Sequence, residues 1–427
     1  MSDGIELDLE HLQRAYAELI VRFGVNLQPK QSVLISAEIV ARDFVVLLSD
    51  ACYAAGARYV HINWIESRTA RSRLLHIAEE DLEYVPEYEV VRFDQYVEEG
   101  WARIAVTGEE FPSILEDVDP QRIGRASAAR AKKIRRYVDA QMSNRIPWTV
   151  VAHPTTNWAC RVFPDLSAAD AVERLWRLVL RMVRADLPDP VHAWSEHDAR
   201  LKKICAFMAR ESVRAIRYFD PTPAADGKPS TDLTVGLNDA PLWIAGSSKT
   251  PQGVPFMANM PTEEAFCSPH RLKADGWVRT SKPIFPLSRE VRNAYFRFEA
   301  GECVEVRAEH GEDALRQFLE IPGTRRLGEV SLVDVRSPVN QTGLVFYDTL
   351  FDENACCHIA FGRAYSECAA GTADMSPEQR EAIGLNEAQA HEDFMIGTPT
   401  MDVFGIRADG SVVAVMKAGM FVDEIFA

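Results

Sequence analysis

The chain has 427 residues, 47% of them hydrophobic and 26% charged, an ordinary globular balance that excludes disordered, collagen-like and low-complexity classes. That length suits two domains with sizeable cores. With 47 Lys and Arg against 63 Asp and Glu, the net charge of −16 argues against a nucleic-acid partner or an anionic membrane surface, because phosphate-rich partners need basic neutralisation.

No apolar run approaches the roughly 18 residues of a membrane-spanning helix. The acidic start Met1-Ser-Asp-Gly-Ile-Glu-Leu-Asp8 lacks the basic and apolar regions of a signal peptide. The cysteines at 52, 160, 205, 267, 303, 356, 357 and 368 are scattered and form no C-x-x-C pair. Reduced thiols and a cytoplasmic protein are therefore expected.

In chain order, Ser32–Ser36 reads as a short apolar strand. Ala41–Ala55 reads as a helix with apolar positions Phe44, Leu47, Leu48, Ala51 and Cys52, and Gly56 stands at its C-terminal cap. Tyr59–Ile65 follows as a β-rich run, and this βαβ order predicts a parallel sheet. Arg103–Val106 and Trp148–Ala152 fit two more strands. Between them, Pro120–Ser143 is a basic, alanine-rich helix whose charge reads as a solvated face. Ser167, with Asp170 three residues on, opens a helix with a buried stripe of Val172, Leu175, Trp176, Val179 and Val183. Asp186–Pro190 ends it, and a connecting helix is expected over about 191–212. Asp220–Ser230 has the composition of a loop. Beyond it, Cys303–Ala308 alternates with period two, and Gly343–Tyr347 and Ser411–Met416 look strand-like. The expected architecture is an N-terminal α/β domain with a parallel sheet (1–200) and an α+β, mainly antiparallel, C-terminal domain (201–427).

Common nucleotide and hydrolase motifs are missing. No two glycines stand two apart, so the dinucleotide fingerprint is absent, as are a P-loop, a G-x-S-x-G elbow and an H-E-x-x-H zinc motif. The second half instead holds dispersed metal-ligand residue types. His391 and Asp393 are two apart, which on a strand aims a nitrogen and an oxygen donor to one side, as a Zn²⁺, Co²⁺ or Mn²⁺ site needs. His358 and Tyr365 lie upstream, Glu263 and Glu264 follow a proline, and Glu329 sits in an apolar run. Each has a plain reading as well: Glu263 and Glu264, like Asp352 and Glu353, could be acids of a helix's first turn. Cys356 and Cys357 read as small buried hydrophobes, and His270 as a substrate contact or a surface residue.

Taken together, the blocks Asn259-Met-Pro-Thr-Glu-Glu264-Ala-Phe, Ser268-Pro-His-Arg271, Arg325-Arg-Leu-Gly-Glu-Val330, Leu350-Phe-Asp-Glu-Asn354, His358-Ile-Ala-Phe-Gly362, Ala364-Tyr365 and His391-x-Asp-Phe-Met-Ile-Gly397 resemble the aminopeptidase T / AmpS / PepS family of dinuclear metallo-aminopeptidases, the thermophilic metalloproteases. Ile123-Gly-Arg-Ala126 and Ala152-His-Pro154 extend the likeness into the first half. The resemblance implies six ligands, Glu264, Glu329, His358, Tyr365, His391 and Asp393, for two divalent ions (Zn, Co or Mn) per chain. It implies a homodimer that removes single N-terminal residues from peptides through water activated by two metals. Glu329 is the expected bridge, and Glu329 and Glu263 are the expected proton acceptors. Three positions depart from the family pattern: Cys356-Cys357 stand for Ala-Ser, Ala388 for serine and Phe404 for an acid. A related branch opens dihydroxypyridine rings with dioxygen at one Fe(II). His358, His391 and Asp393 could supply its triad, but such a site has no use for Glu264, Glu329 and Tyr365. A binding protein without catalysis is a third reading, disfavoured by the complete ligand set.

Overall fold

The computed structural model describes residues 8–108, 110–111, 114–372 and 375–427. The chain divides into two compact units, Met1–Ser195 with Ser247–Pro261, and Glu196–Gly246 with Thr262–Ala427.

The first unit is built on a five-stranded parallel sheet in the order Asn259–Met260, Trp148–Ala152, Ala102–Thr107, Ser32–Glu38, Tyr59–Ile65. Val33, Leu34, Ile35 and Ala37 are all buried, as expected of a parallel strand covered on both faces. The helix Arg42–Ala54 buries Phe44, Val45, Leu48 and Cys52. Gly56 follows it with φ 91°, the left-handed turn that lets the chain return to the sheet. Ser167 caps the helix Ala168–Met182, its hydroxyl accepting the Asp170 N–H at 3.2 Å.

The basic segment differs from expectation. It forms two helices, Pro120–Lys133 and Arg135–Met142, broken at Ile134. Ile134 is drawn into a cluster with Phe93, Tyr96 and Tyr137, and that packing outweighs helix continuity. The charged face is solvated as expected, with Arg125, Arg130, Lys132, Lys133, Arg135 and Arg136 exposed. Arg122, Arg125, Arg130 and Arg136 pair with Glu79, Glu83, Glu89 and Glu98.

The second unit packs two antiparallel sheets. The larger has eight strands in the order Glu302–Arg307, Tyr295–Glu299, Pro269–Arg279, Pro229–Leu237, Val213–Pro223, Asp402–Arg407, Val412–Lys417, Met420–Phe421. The smaller has five: His391–Met395, His358–Gly362, Leu327–Val333, Glu264–Cys267, Ile244–Ala245. The core lies between them. Phe296 of the larger sheet stacks on Phe394 of the smaller at 5.3 Å and meets Phe361 at 4.9 Å. All three are fully buried, each contributing about 1.5–3 kcal/mol by leaving water.

Two local expectations change here, each beside a buried aspartate. The stretch 220–230 holds the expected loop only over 224–228; residues 220–223 belong to Val213–Pro223, where Asp220 accepts from Thr222 N, Thr398 Oγ1 and Thr400 Oγ1 at 2.9, 2.6 and 2.9 Å. Gly343–Tyr347 is not a strand. Its neighbour Asp352 takes the Phe346 and Asp348 N–H groups at 2.8 and 3.3 Å, so that backbone is satisfied by a side chain instead of a ladder.

Candidate metal centre

Four strands of the smaller sheet present the candidate donors. Glu329 stands opposite Ala360, and Ala360 opposite Asp393. Opposed residues share a face, as do residues two apart, so Glu329, His358, His391 and Asp393 all stand on one face. Glu264 is opposite Val333, four residues beyond Glu329, and joins them. The alternate positions, Val330, Leu332, Ile359, Phe361 and Phe394, face the core. The same period of two that builds the sheet thus separates donors from apolar packing.

The register slips between Leu327 and Glu329, a bulge centred on Gly328. A Cβ at that position would lie 2.3 Å from Arg363 O and 2.6 Å from Gly362 O. Only glycine lets the strand come this close while aiming the next carboxylate at the group.

The donors fall into two sets, Glu264 with Glu329 and His358, and Glu329 with His391 and Asp393, each with ligand atoms within 4.8 Å of one another. Glu329 belongs to both. Its Oε1 is 3.4 Å from His358 Nε2 and its Oε2 is 3.5 Å from His391 Nε2. Glu264 Oε2 lies 3.1 Å from His358 Nε2, and Asp393 Oδ1 lies 3.4 Å from His391 Nε2.

These spacings fit divalent ions. Two donors each about 2.1 Å from a tetrahedral ion are about 3.4 Å apart. Glu264 Oε2 is buried and accepts no hydrogen bond of proper alignment. The second ring nitrogens face backbone carbonyls, His391 Nδ1 at 2.7 Å from Arg363 O and His358 Nδ1 at 3.3 Å from Cys356 O. That arrangement holds each ring with Nε2 turned inward. Without cations, the imidazoles carry the positive charge. Burial works to lower the proton affinity of His358 and His391, but the facing carboxylates overcome it and raise both, His391 to about 11. Burial likewise works to raise Glu329, and the two histidines hold it down to about 2.

Tyr365 stands beside the second set, its ring 4.9 Å from that of His391 and 5.7 Å from that of Phe266. Burial and the surrounding carboxylates push its hydroxyl well up. Glu263 belongs to neither set. Its Oε2 lies 3.5 Å from His197 Nε2, and its N–H donates to Asn354 Oδ1 at 2.6 Å. Neither Glu263 nor Glu264 lies in a helix, so the helix-turn reading of that pair is set aside. His270 packs its ring on Gly384 and accepts the Leu272 N–H at 3.1 Å.

Sequence reasoning passed over Glu353, reading it as a helix-end acid. Its carboxyl is pushed well up by burial and then by Glu264 and Asp393, which places it in the field of both sets. Its neighbour Asn354 is fully buried. The acids and amide Asp352-Glu-Asn354, set between Leu350-Phe351 and Ala355, were the available signal.

The sequence pattern of the thermophilic metalloprotease family M29 matches residues 9–421. Aminopeptidase T of Thermus thermophilus is 40% identical over 421 residues, 98% of this chain and 100% of that protein. Aminopeptidase AmpS of Bacillus subtilis is 36% identical over 405 residues, covering 95% and 97% of the two. The solved structure of wild-type AmpT from Thermus thermophilus matches with a TM-score of 0.86 at 38% identity, over 97% of this chain and 99% of that one.

Proposed function

The chain belongs to the thermophilic metalloprotease family M29 and is a metallo-aminopeptidase, and we propose that it works with two divalent ions, Zn, Co or Mn, held in the two donor sets. The observation that carries this reading is the sharing of Glu329 between Glu264–His358 on one side and His391–Asp393 on the other. Tyr365 is retained as the sixth donor, beside the second set. Bound there, such ions polarise a peptide carbonyl and make water a nucleophile at neutral pH.

The protein's own groups have two tasks. Glu264, Glu329, His358, His391 and Asp393 fix the ions. A carboxylate bound to the ions or beside them takes the proton of the attacking water and returns it to the departing amine. Of the two acids expected to do so, Glu329 has both oxygens turned on imidazoles, and Glu263 is held against His197. Glu353 lies in the field of Glu264 and Asp393 and is carried by no strand of the ligand sheet, so we assign it the first claim, with Glu263 second. Holding the free amino terminus, which restricts cleavage to the first residue, would fall to one of the ions.

No helix among the described residues is long and apolar enough to cross a membrane. We propose a homodimer acting on peptides in the cytoplasm, with no nucleic-acid or membrane partner, in line with the net charge of −16. Ring opening by a single iron gains no support, since the relatives are aminopeptidases.

The test is release of single residues from short unblocked peptides by protein loaded with Co²⁺, Zn²⁺ or Mn²⁺, with and without air. Release is expected in both atmospheres, and acetylation of the peptide amine is expected to abolish it. Failure on every free-amine peptide, or oxygen uptake with a dihydroxypyridine, would overturn the assignment.

A further inference from the structure

Asn354 joins two parts of the centre that the sheet does not connect. Its side chain is fully buried and makes three directed contacts. Oδ1 accepts the Glu263 N–H at 2.6 Å, and Nδ2 donates to Leu350 O at 2.8 Å and reaches Glu353 Oε1 at 3.5 Å. A donor on one side and a carbonyl on the other leave only one orientation of the amide. Its backbone is pinned as well, because the Ser337 hydroxyl donates to Asn354 O at 2.6 Å.

Each arm ends next to a group with a task. Glu263 N–H belongs to the Thr262–Glu263 peptide, so the Oδ1 arm fixes the chain one residue before Glu264, where the first donor set begins. The Nδ2 arm reaches the carboxyl of Glu353, which no strand of the ligand sheet carries. We propose that Asn354 is a positioning residue that sets the Glu264 carboxylate and the Glu353 carboxyl relative to each other, acting through those two and not on substrate. The inference rests on the function proposed above, because it assigns Glu353 a proton to carry and Glu264 an ion to hold.

One arm can be cut alone, and both together. Asn354→Asp keeps an oxygen for the Glu263 N–H, but removes the donor to Glu353 and sets a like charge beside it. Asn354→Ala removes both arms. Two readouts are needed: calorimetric titration of Co²⁺ into metal-free protein, and kcat and KM for peptide release. For Asn354→Asp, Co²⁺ affinity within about threefold of the parent is expected, with kcat at least roughly tenfold lower and KM little changed. For Asn354→Ala, both Co²⁺ affinity and kcat should fall by roughly tenfold or more. A purely structural role would lower the melting temperature and the active fraction, leaving kcat per metal-loaded molecule unchanged in both variants. That result, or parental kcat in Asn354→Asp, would overturn the proposal. Should Asn354→Ala not fold, the isosteric aspartate variant still decides. If the parent protein released no residue from any peptide, the proposed function would fail by itself, and the Co²⁺ titration would still report whether Asn354 holds Glu264 in place.

Discussion

Glu329 faces Ala360 directly across two antiparallel strands, and the small methyl side chain leaves the space into which the Glu329 carboxylate and the two imidazoles converge. Ala360 is fully buried. Ala360→Leu is expected to fill that space, at about 1–3 kcal/mol of overpacking strain, and to push Glu329 out of both donor sets. Metal retention after gel filtration should drop sharply, and peptide release with it, by roughly tenfold or more. Ala360→Gly, which leaves the space open, should keep the metals. A leucine variant with parental metal content would show that Glu329 does not occupy this gap.

Metal content is the most direct check on the shared carboxylate. Five donors in two sets exceed what one tetrahedral ion uses, so protein purified without chelator should hold close to two divalent ions per chain by elemental analysis. Glu264→Gln removes a charged oxygen from the first set only, and Asp393→Asn from the second only. Each variant should retain about one ion and lose most turnover. Saturation of the parent at one ion, with iron bound, would contradict the two-ion reading.

Much of this molecule can be read from local pattern. The parallel strands of the first unit show as apolar runs because they are covered on both faces, and His391 with Asp393 shows as a same-side pair because strand periodicity is two. Other features depend on contacts distant in sequence. Ile134 breaks a helix that its neighbours favour, because Phe93 and Tyr137 draw it into their cluster. Gly343–Tyr347 is apolar and strand-like in composition, yet Asp352 takes the Phe346 N–H within it and the Asp348 N–H just after it. Glu353 looks like any acid at a helix end until the chain brings it near Glu264 and Asp393. Ala388 and Phe404, which depart from the family pattern, turn out to pack against Gly323 and to pair with Arg217 in the larger sheet.

The adjacent thiols are expected to be packing residues. Cys357 Sγ accepts the Val333 N–H at 3.4 Å and lies 3.6 Å from Met416 Sδ, while Cys356 Sγ lies 3.7 Å from Ser281 Oγ. Burial pushes Cys357 up to about 12 and raises Cys356, so both stay thiols, and a thiol is a poor metal ligand. Cys356→Ala with Cys357→Ser keeps an acceptor for Val333 N–H. Activity should stay within a few-fold of the parent and metal content should not change. Loss of an ion from this double variant would show that a sulfur takes part in the centre.

Asp352 gives the protein a pH dependence of stability that can be isolated. Burial raises its carboxyl from 3.8 to about 6 in the folded chain, against the lowering effect of the Phe346 and Asp348 N–H groups. Below pH 3.8 both folded and unfolded chains hold the proton. Between there and about 6 the unfolded chain has released it while the folded chain keeps it, so the folded state binds more protons and stability falls as pH rises. The fall amounts to roughly 3 kcal/mol, complete above the folded value. Asp352→Asn keeps an oxygen for Phe346 N–H, gives up the weaker bond to Asp348 N–H, and cannot ionise. The variant should therefore be the less stable of the two near pH 4 and gain on the parent as pH rises to 7. Urea unfolding of both proteins at pH 4, 5.5 and 7 measures this difference directly, with pH effects elsewhere in the molecule cancelling. A stability difference that stays constant over the range would mean that Asp352 is already ionised in the folded chain at pH 4, with its two N–H bonds outweighing its burial.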